Sequence, residues 1–385
     1  MALLPTEAAL ISGATTAAQQ KGNFAALRQF LADLLGTDSS NKAAAREALG
    51  VPDASAAARG LVELATVAEA QAGTDTARAV TPAGLAARTG AMGFRNKIIN
   101  GNMDVWQRGT SFTNPVPYAY TADRWRVDHD GTGATRVISR QSFAVGDTVA
   151  GEAVHYLQFA QTAAGSGATF TALTQNIERV RTLAGKTVTV SFYARASAPL
   201  TLPNIALGQY FGAGGSPSAT VFTNVATNLA LTTSWQRYVF TVTVPPITGK
   251  VLGTSGDCLH LTYNFSPNTV FTFQVTGVQV EEGGHATPFE LRPLQVELAL
   301  CQRYYEALQV YHRAQCGAGS QTNGTAFNFR VEKRVTPTVT VAVTYANAGN
   351  AQLFDVSPFG GSLRADVGST GDSIVNGLLY ASAEL

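Results

Sequence analysis

The side chains able to do chemistry are present in this chain, but not in the spacings that chemistry needs. Five histidines, His129, His155, His260, His285 and His312, are scattered singly. Neither an H-E-x-x-H zinc motif nor a G-x-S-x-G nucleophile elbow occurs. Glycoside hydrolysis requires two carboxylates facing one groove, and spacing alone pairs none of the acids here. No catalytic residue is therefore expected, and the chain reads as a binder, not an enzyme. Asp104, Asp123, Glu281 and Glu282 could supply oxygen ligands to calcium, but Arg108, Arg124 and Arg126 stand beside them, and arginine–carboxylate pairs need no metal. The expectation is no metal and no cofactor. The three cysteines, Cys258, Cys301 and Cys316, match no zinc or redox spacing and read as buried thiols, with one Cys301–Cys316 disulfide as the alternative.

The remaining chemistry is recognition. Trp106, Trp125 and Trp235 could stack on sugar faces, but each lies in a stretch that reads as structural, so core packing is expected for all three. Aromatics in loops are better candidates for a receptor, because loops on a rigid β scaffold carry specificity. Tyr118 and Tyr120 lie in a proline-containing loop, and Tyr210 and Phe211 precede Gly212-Ala213-Gly214-Gly215. Nearer the C-terminus stand Tyr311, His312, Tyr345, Asn347, Phe354 and Phe359. These last either contact a receptor or fill an oligomer axis.

The elements that position these residues divide near position 93. Residues 1–92 are rich in alanine and carry neither Trp nor Tyr. So little bulk cannot build a compact core unaided. Phe24, Leu27, Leu31 and Leu34 follow a 3-4-3 spacing, one stripe of a helix, with Asn23 as its cap and Gly36 as its stop. The stripe either packs on the same chain or self-associates into a bundle. A further helix is expected at Asn41–Leu49. Thr66-Val67-Ala68-Glu69 is a capping box, and Thr81-Pro82 places a cap before a first-turn proline. These short pieces read as a stalk.

From Asn96 the period changes to two. Val188, Val190, Phe192 and Ala194 alternate with polar residues, as do Tyr238, Phe240, Val242 and Val244. In Phe271–Val280 the apolar parity switches at Thr276-Gly277, which predicts a β-bulge. Many short strands punctuated by Gly, Pro and Asn predict a mainly β fold, a jelly-roll sandwich. Pro293 can open a helix with Leu294, Leu298, Cys301 and Tyr305 on one face, ending near Leu308. Val339, Val341 and Val343 then return to alternation. The expected organisation is a helical segment at 1–59, a collar or stalk at 60–93, a jelly roll at 94–292, a linking helix at 293–308 and a small β domain at 309–385.

Composition excludes some partners. Charged residues make up 14 %, against about 25 % in an average domain, and the net charge is +1. With no basic cluster to displace counterions, nucleic-acid binding is not expected. No run of about 18 apolar residues or secretory signal occurs, so synthesis in a cytosol without membrane insertion is expected.

Two segments carry a resemblance. Gly60-Leu61-Val62-Glu63-Leu64-Ala65-Thr66-Val67-Ala68-Glu69-Ala70-Gln71-Ala72-Gly73-Thr74-Asp75, continuing to Arg78-Ala79-Val80-Thr81-Pro82, resembles the short collar repeat of bacteriophage tail fibres. Asn96-Lys97-Ile98-Ile99-Asn100-Gly101-Asn102-Met103-Asp104-Val105-Trp106-Gln107-Arg108-Gly109, with Tyr120-Thr121-Ala122-Asp123-Arg124-Trp125, resembles the opening of a tail-fibre β domain similar to carbohydrate-binding modules. Val190–Arg195, Ser234–Tyr238 and Val278–Gly283 agree in order. The resemblance implies a homotrimeric virion component made in the host cytoplasm. Its N-terminus would join tail or baseplate proteins, its stalk stripe would form the trimer, and its C-terminal β domains would bind a host surface glycan or outer-membrane protein. A polysaccharide-degrading tailspike, or a purely structural tail-tip protein, is the alternative.

Overall fold

The computed structural model describes residues 16–35, 62–72, 75–82, 84–85, 93–147, 152–317 and 322–385. The chain divides into two compact units, Met1–Gly90 and Ala91–Leu385. Most of the expected 1–59 segment, including Gly36 and the helix at Asn41–Leu49, lies outside the described residues.

In the first unit, α1 spans Ala17–Leu35. It begins earlier than expected, because its cap is Thr16 and not Asn23. The Thr16 hydroxyl accepts from Gln19 N–H (3.3 Å), and Gln19 Oε1 accepts from Thr16 N–H (2.8 Å), a reciprocal box that the Asn23 reading overlooked. Phe24 is 65 % exposed, Leu31 is exposed and Leu27 half-buried. Further on, α2 (Val67–Ala72) starts at the Thr66 capping box, with Glu69 N–H on Thr66 Oγ1 at 3.3 Å and Thr66 N–H on Glu69 Oε2 at 2.8 Å. Arg78 ties the segment together through Glu63 (3.2 Å), Glu69 (3.2 Å) and Asp75 (2.5 Å). Thr81 caps the next turn, its hydroxyl accepting from Gly84 N–H at 3.1 Å.

The second unit contains the sandwich. Its strands are β1 (Ser111–Thr113), β2 (Ala119–Tyr120), β3 (Trp125–His129), β4 (Thr132–Ser142), β5 (His155–Ser166), β6 (Thr171–Glu178), β7 (Thr187–Ala196), β8 (Leu200–Tyr210), β9 (Val221–Leu231), β10 (Gln236–Thr243), β11 (Cys258–Phe265) and β12 (Phe271–Glu282). They form two six-stranded antiparallel sheets of order β1-β4-β5-β12-β7-β10 and β2-β3-β6-β11-β8-β9. The fold is mainly β, as the alternation predicts. Between the sheets lies one apolar core holding Trp125, Phe159, Phe192, Tyr263 and Phe273. The predicted bulge is present: the β12–β7 register shifts between Thr276 and Gln279, around Gly277 at φ +60°.

The segment opening this unit is sewn to β12. Asn96 Oδ1 accepts from Ile98 N–H (2.9 Å) and Val280 N–H (3.0 Å). Asn100, at φ +58°, closes a turn: its amide donates to Val105 O (2.8 Å) and Asp123 O (3.0 Å) while its oxygen accepts from Val105 N–H (2.9 Å). A Cβ at Gly101 would lie 2.3 Å from Val278 O, so only glycine fits. The residue types of that motif are therefore structural requirements.

Pro293 precedes α3, which spans only Leu294–Gln302. The expected extension to Leu308 is incorrect, because Tyr305 already pairs with Ser382 across two strands. The small β domain thus starts ahead of the expected 309 boundary. It consists of β13 (Tyr305–Cys316), β14 (Thr322–Asn328), β15 (Thr338–Ala346), β16 (Ala348–Phe354), β17 (Gly360–Val367) and β18 (Gly371–Ser382). They form two three-stranded sheets, β13-β18-β15 and β14-β17-β16, around a core of Val310, Phe327, Phe329, Leu363, Val375 and Leu379. Cys258, Cys301 and Cys316 are buried free thiols, so the Cys301–Cys316 alternative falls away.

The small domain is clasped to the sandwich. Fully buried Arg124 pairs with Glu384, stacks on Tyr304 (3.5 Å to the ring centre) and donates to Asn176 O at 2.6 Å. Arg108 lies 3.5 Å over the Tyr305 ring and 2.9 Å from Glu384. Among the described residues, no helix is long and apolar enough to cross a membrane.

Candidate functional site

Alternation decides which side chains the first sheet turns to its outer face, where Tyr156 (9 % exposed) and Gln274 (8 %) are nonetheless covered by their neighbours. In β5, Leu157 and Phe159 enter the core, so Tyr156 and Gln158 face outward; in β12, Phe273 and Val275 enter, so Gln274 faces outward. In β7, Phe192 and Ala194 enter, leaving Tyr193 and Arg195 outside. Register then sets Ser139, Gln158, Gln274 and Arg195 side by side across four strands. Gln274 Nε2 donates to Gln158 Oε1 (2.6 Å), and Arg195 Nε donates to Gln274 Oε1 (2.5 Å). Each amide is thus oriented by its neighbour.

An aromatic cluster flanks this polar row. Phe143, just after β4, lies 4.9 Å from Tyr156 and 5.2 Å from Trp235, and Tyr156 lies edge-on to Trp235 at 5.2 Å. The Arg195 guanidinium sits 5.0 Å over the Trp235 ring. Trp235, which leads into β10, is half-buried and stands outside the sandwich core. This corrects the expectation that all three tryptophans pack inside; only Trp106 and Trp125 do. Of these rings Tyr156 is buried, so the half-exposed Trp235 and Phe143, beside Gln158 and Arg195, are the ones that can meet a polyhydroxylated ring: its C–H face lies on the indole, and its hydroxyls pair with Gln158 and Arg195. Phe143, Tyr156 and Arg195 were not among the candidates chosen from sequence, and Trp235 was weighed for sugar stacking but assigned to the core. Their only signal is outward parity beside an aromatic, which many surface residues share.

The candidates chosen from sequence do not converge. Tyr118 is 55 % exposed, with its ring 6.4 Å from Phe170 and Arg126 5.4 Å above it. Tyr120 is half-buried in β2, and its hydroxyl donates to Leu385 O at 2.7 Å, a role in the clasp. Tyr210 ends β8 and is partly exposed. Phe211 is 1 % exposed and cannot meet a receptor; its carbonyl receives Gly253 N–H at 2.7 Å, and the chain folds over it. Tyr311 and His312 lie within β13 and not in a loop, Tyr311 exposed and His312 half-buried. Tyr345 also lies in a strand, β15, where its hydroxyl accepts from Ala351 N–H at 3.1 Å. Asn347, at φ +50°, shapes the following turn by accepting from Ser369 N–H (2.8 Å) and donating to Ser369 O (2.8 Å). Phe354 ends β16 beneath Arg364 (4.5 Å), and Phe359 is exposed before β17.

The four acids considered for calcium are held by separate partners. Asp104 meets His155 (2.9 Å), Asp123 meets Arg108 (3.4 Å), Glu281 accepts from Thr287 (2.6 Å), and Glu282 meets Lys186 (3.0 Å). Arg124 chooses Glu384 over Asp123. Burial lifts the Asp123 carboxyl to about 6, with Arg108 pulling the other way. On the opposite sheet, burial and then Arg126 lower the His260 imidazole to about 4. That ring lies on Gly208, where a Cβ would come within 2.0 Å of it, with Phe222 packed at 5.7 Å.

No protein family and no curated protein matches the chain by sequence. Among solved structures, the enzymatically active domain of bacteriophage CBA120 tailspike protein 4 is similar at 14 % identity and a TM-score of 0.31, over 49 % of this chain and 22 % of that one. The chain therefore spans about a fifth of that tailspike structure. A CBM4 structure is similar at 19 % identity and a TM-score of 0.28, over 48 % of this chain and 98 % of that one. The CBM22-1 xylan-binding domain of Paenibacillus barcinonensis is similar at 13 % identity and 0.30, over 50 % and 96 % respectively. The assignment of a β-sandwich rests on the chain's own strand order.

Proposed function

We propose that this chain is a short homotrimeric tail fibre of a bacteriophage, a virion component that binds a glycan on the host surface without cleaving it. The observation that carries the binding part is the half-buried trio Trp235, Gln158 and Arg195 on the outer face of the sandwich, held in place by the buried Tyr156 and Gln274 beneath them. It holds aromatic faces and neutral or cationic hydrogen-bonding groups, and none of these five residues is an acid that could protonate a glycosidic oxygen. The virion role is supported by the collar-like segment at 60–82 and the opening motif at 96–109. In this reading the N-terminal unit joins tail or baseplate proteins, and the exposed Phe24 and Leu31 on α1 meet their counterparts in two other copies. Weak single contacts become strong attachment when three copies engage together.

Adsorption and turnover separate the readings. The full chain should bind host cells, compete with infection and run as a trimer in light scattering. Host polysaccharide incubated with it should release no reducing ends. Sustained release of reducing ends would replace this proposal with a degrading tailspike. A chain that neither binds cells nor slows infection would leave only a structural tail-tip role.

A further inference from the structure

On the outer face of the sandwich, the side chain of Arg195 is held from three directions. Its Nε donates to Gln274 Oε1 at 2.5 Å, and its guanidinium lies 5.0 Å from the centre of the Trp235 ring and 5.8 Å from that of Tyr156. Gln274 is only 8 % exposed and donates to Gln158 Oε1 at 2.6 Å, so the anchor of Arg195 is fixed in its turn. A guanidinium placed this way has given up much of its rotamer freedom before any ligand arrives.

What this arginine lacks is a counter-charge. In the same domain Arg108 and Arg124 meet Glu384, Arg126 meets Asp128, and Arg292 meets Glu290 and Glu297. Among the described residues, no carboxylate pairs with Arg195. Its two terminal nitrogens make no hydrogen bond there either, and neither is sealed from solvent. Arg237, outward on β10 and opposite Tyr193, also meets no carboxylate; it is exposed and donates to Thr287 O at 2.6 Å. Acids on the flanking segments are engaged elsewhere. Asp147, in the turn after Phe143, accepts from Ala144 N–H at 2.9 Å, and Glu281 is held by Thr287 (2.6 Å) and Arg95 (3.6 Å). A half-buried cation without a counter-ion is poised to pair with one that a ligand brings. The planar end of a guanidinium matches a carboxylate through two parallel hydrogen bonds.

We infer that the outer-face site recognises an acidic polysaccharide, through a uronic acid unit whose carboxylate sits on the terminal nitrogens of Arg195. The C–H face of the same unit meets the exposed part of the Trp235 indole, and Gln158 serves a ring hydroxyl. Arg237 offers a second cation to a neighbouring unit of the polymer. This inference rests on the glycan-binding reading and narrows it to one chemical class.

The test is affinity electrophoresis of the full chain in gels holding alginate, polygalacturonate or hyaluronate, each beside the same polymer after reduction of its carboxyl groups to alcohols. At least one acidic polymer should bind about tenfold or more tightly than its reduced form, and added salt should weaken that preference. Arg195→Gln, which cannot pair with a carboxylate, should bring the ratio of acidic to reduced binding down to about one. Arg237→Gln, at an exposed position, should lower the ratio by about twofold, and it keeps the test decisive if the Arg195 variant does not fold. Equal binding of acidic and reduced polymers, or a ratio that neither variant moves, would overturn the inference and leave a neutral-glycan site at Trp235 standing. Retention by dextran sulfate and by none of the uronates would overturn it as well, since the guanidinium would then serve sulfate esters. If no polymer is retained in either form, the uronate inference falls, and adsorption to host cells decides separately whether the glycan-binding reading survives.

Discussion

The two β domains of the second unit reach stability by different means. The sandwich encloses a core rich in large side chains, with Trp125, Phe159, Phe192, Tyr263 and Phe273 fully buried. The small domain has two three-stranded sheets, and the strands β15 and β16 carry no fully buried residue at all. A small domain buries a lower fraction of its surface, so individual polar contacts weigh more. Where it meets the end of α3 lies the ion pair Lys333–Glu306 at 2.6 Å, both side chains wholly buried, with Lys333 also donating to Gln302 O at 2.7 Å. Burial lowers the Lys333 ammonium and Glu306 opposes that shift. The lesson is that apolar mass holds the sandwich, while specific polar clasps hold the small domain and its seam.

Breaking each side of this comparison should give different failures. Phe273→Ala empties the middle of the sandwich and should cost about 4 kcal/mol. Because the small domain is clasped to the sandwich, one cooperative transition should move to lower denaturant, as read by circular dichroism. Glu306→Ala leaves Lys333 buried without its partner and should cost about 3 kcal/mol. Here the loss should be local: amide exchange should quicken in β13 to β18 while the sandwich stays protected. The double change E306L with K333M should recover most of that loss, because burying no charge avoids the desolvation cost. A double variant as damaged as Glu306→Ala would show that the pair is not what the small domain depends on.

A third test sharpens the contrast through pH. His260 titrates lower in the folded chain than its ordinary 6.5, so its contribution to stability is complete above pH 6.5 and is lost as pH falls toward about 4. Asp123 titrates higher than its ordinary 3.8, so its contribution is complete below that and is lost as pH rises through about 6. Between pH 7 and 4 the two act in opposite directions. His260→Gln removes the acid-labile half, and its stability relative to the parent should improve by about 2 kcal/mol on going from pH 7 to pH 4. Urea titrations at the two pH values measure this; a constant difference would show that the ring protonates without penalty.

Local patterns were legible in the sequence, and long-range ones were not. The alternation in Thr187–Ala196, the bulge at Gly277 and the Thr66 box depend on neighbours a few residues away, and each is present. The end of α3 depends on a distant strand. Leu294, Leu298, Cys301 and Tyr305 fit helical spacing, but pairing with β18 takes Tyr305 into a sheet. Phe211 sits among glycines and looked like a loop tip, yet the chain returns over it at Gly253. The outer-face strip draws Gln158, Gln274 and Arg195 from three strands that meet only through register. Nothing local distinguishes those side chains from other outward polar residues.

Trp235 separates the functional reading from the structural one with the smallest cost in stability. It is half-buried, outside the core, and its partners Phe143, Tyr156 and Arg195 can close toward one another when it is removed. Trp235→Ala should therefore cost roughly 1 kcal/mol of stability, far below a core aromatic. Glycan affinity should fall about tenfold or more, because a flat ring beside oriented amides supplies most of the contact with a sugar face. Arg195→Lys keeps the charge but cannot orient Gln274 and cover the indole at once, so an intermediate loss is expected. Affinity electrophoresis in host polysaccharide gels, with denaturation run alongside, reads both quantities. If binding were unchanged while stability fell by several kcal/mol, the cluster would be a structural buttress, and the binding face would have to be sought on the second sheet, around Tyr118 and Phe222.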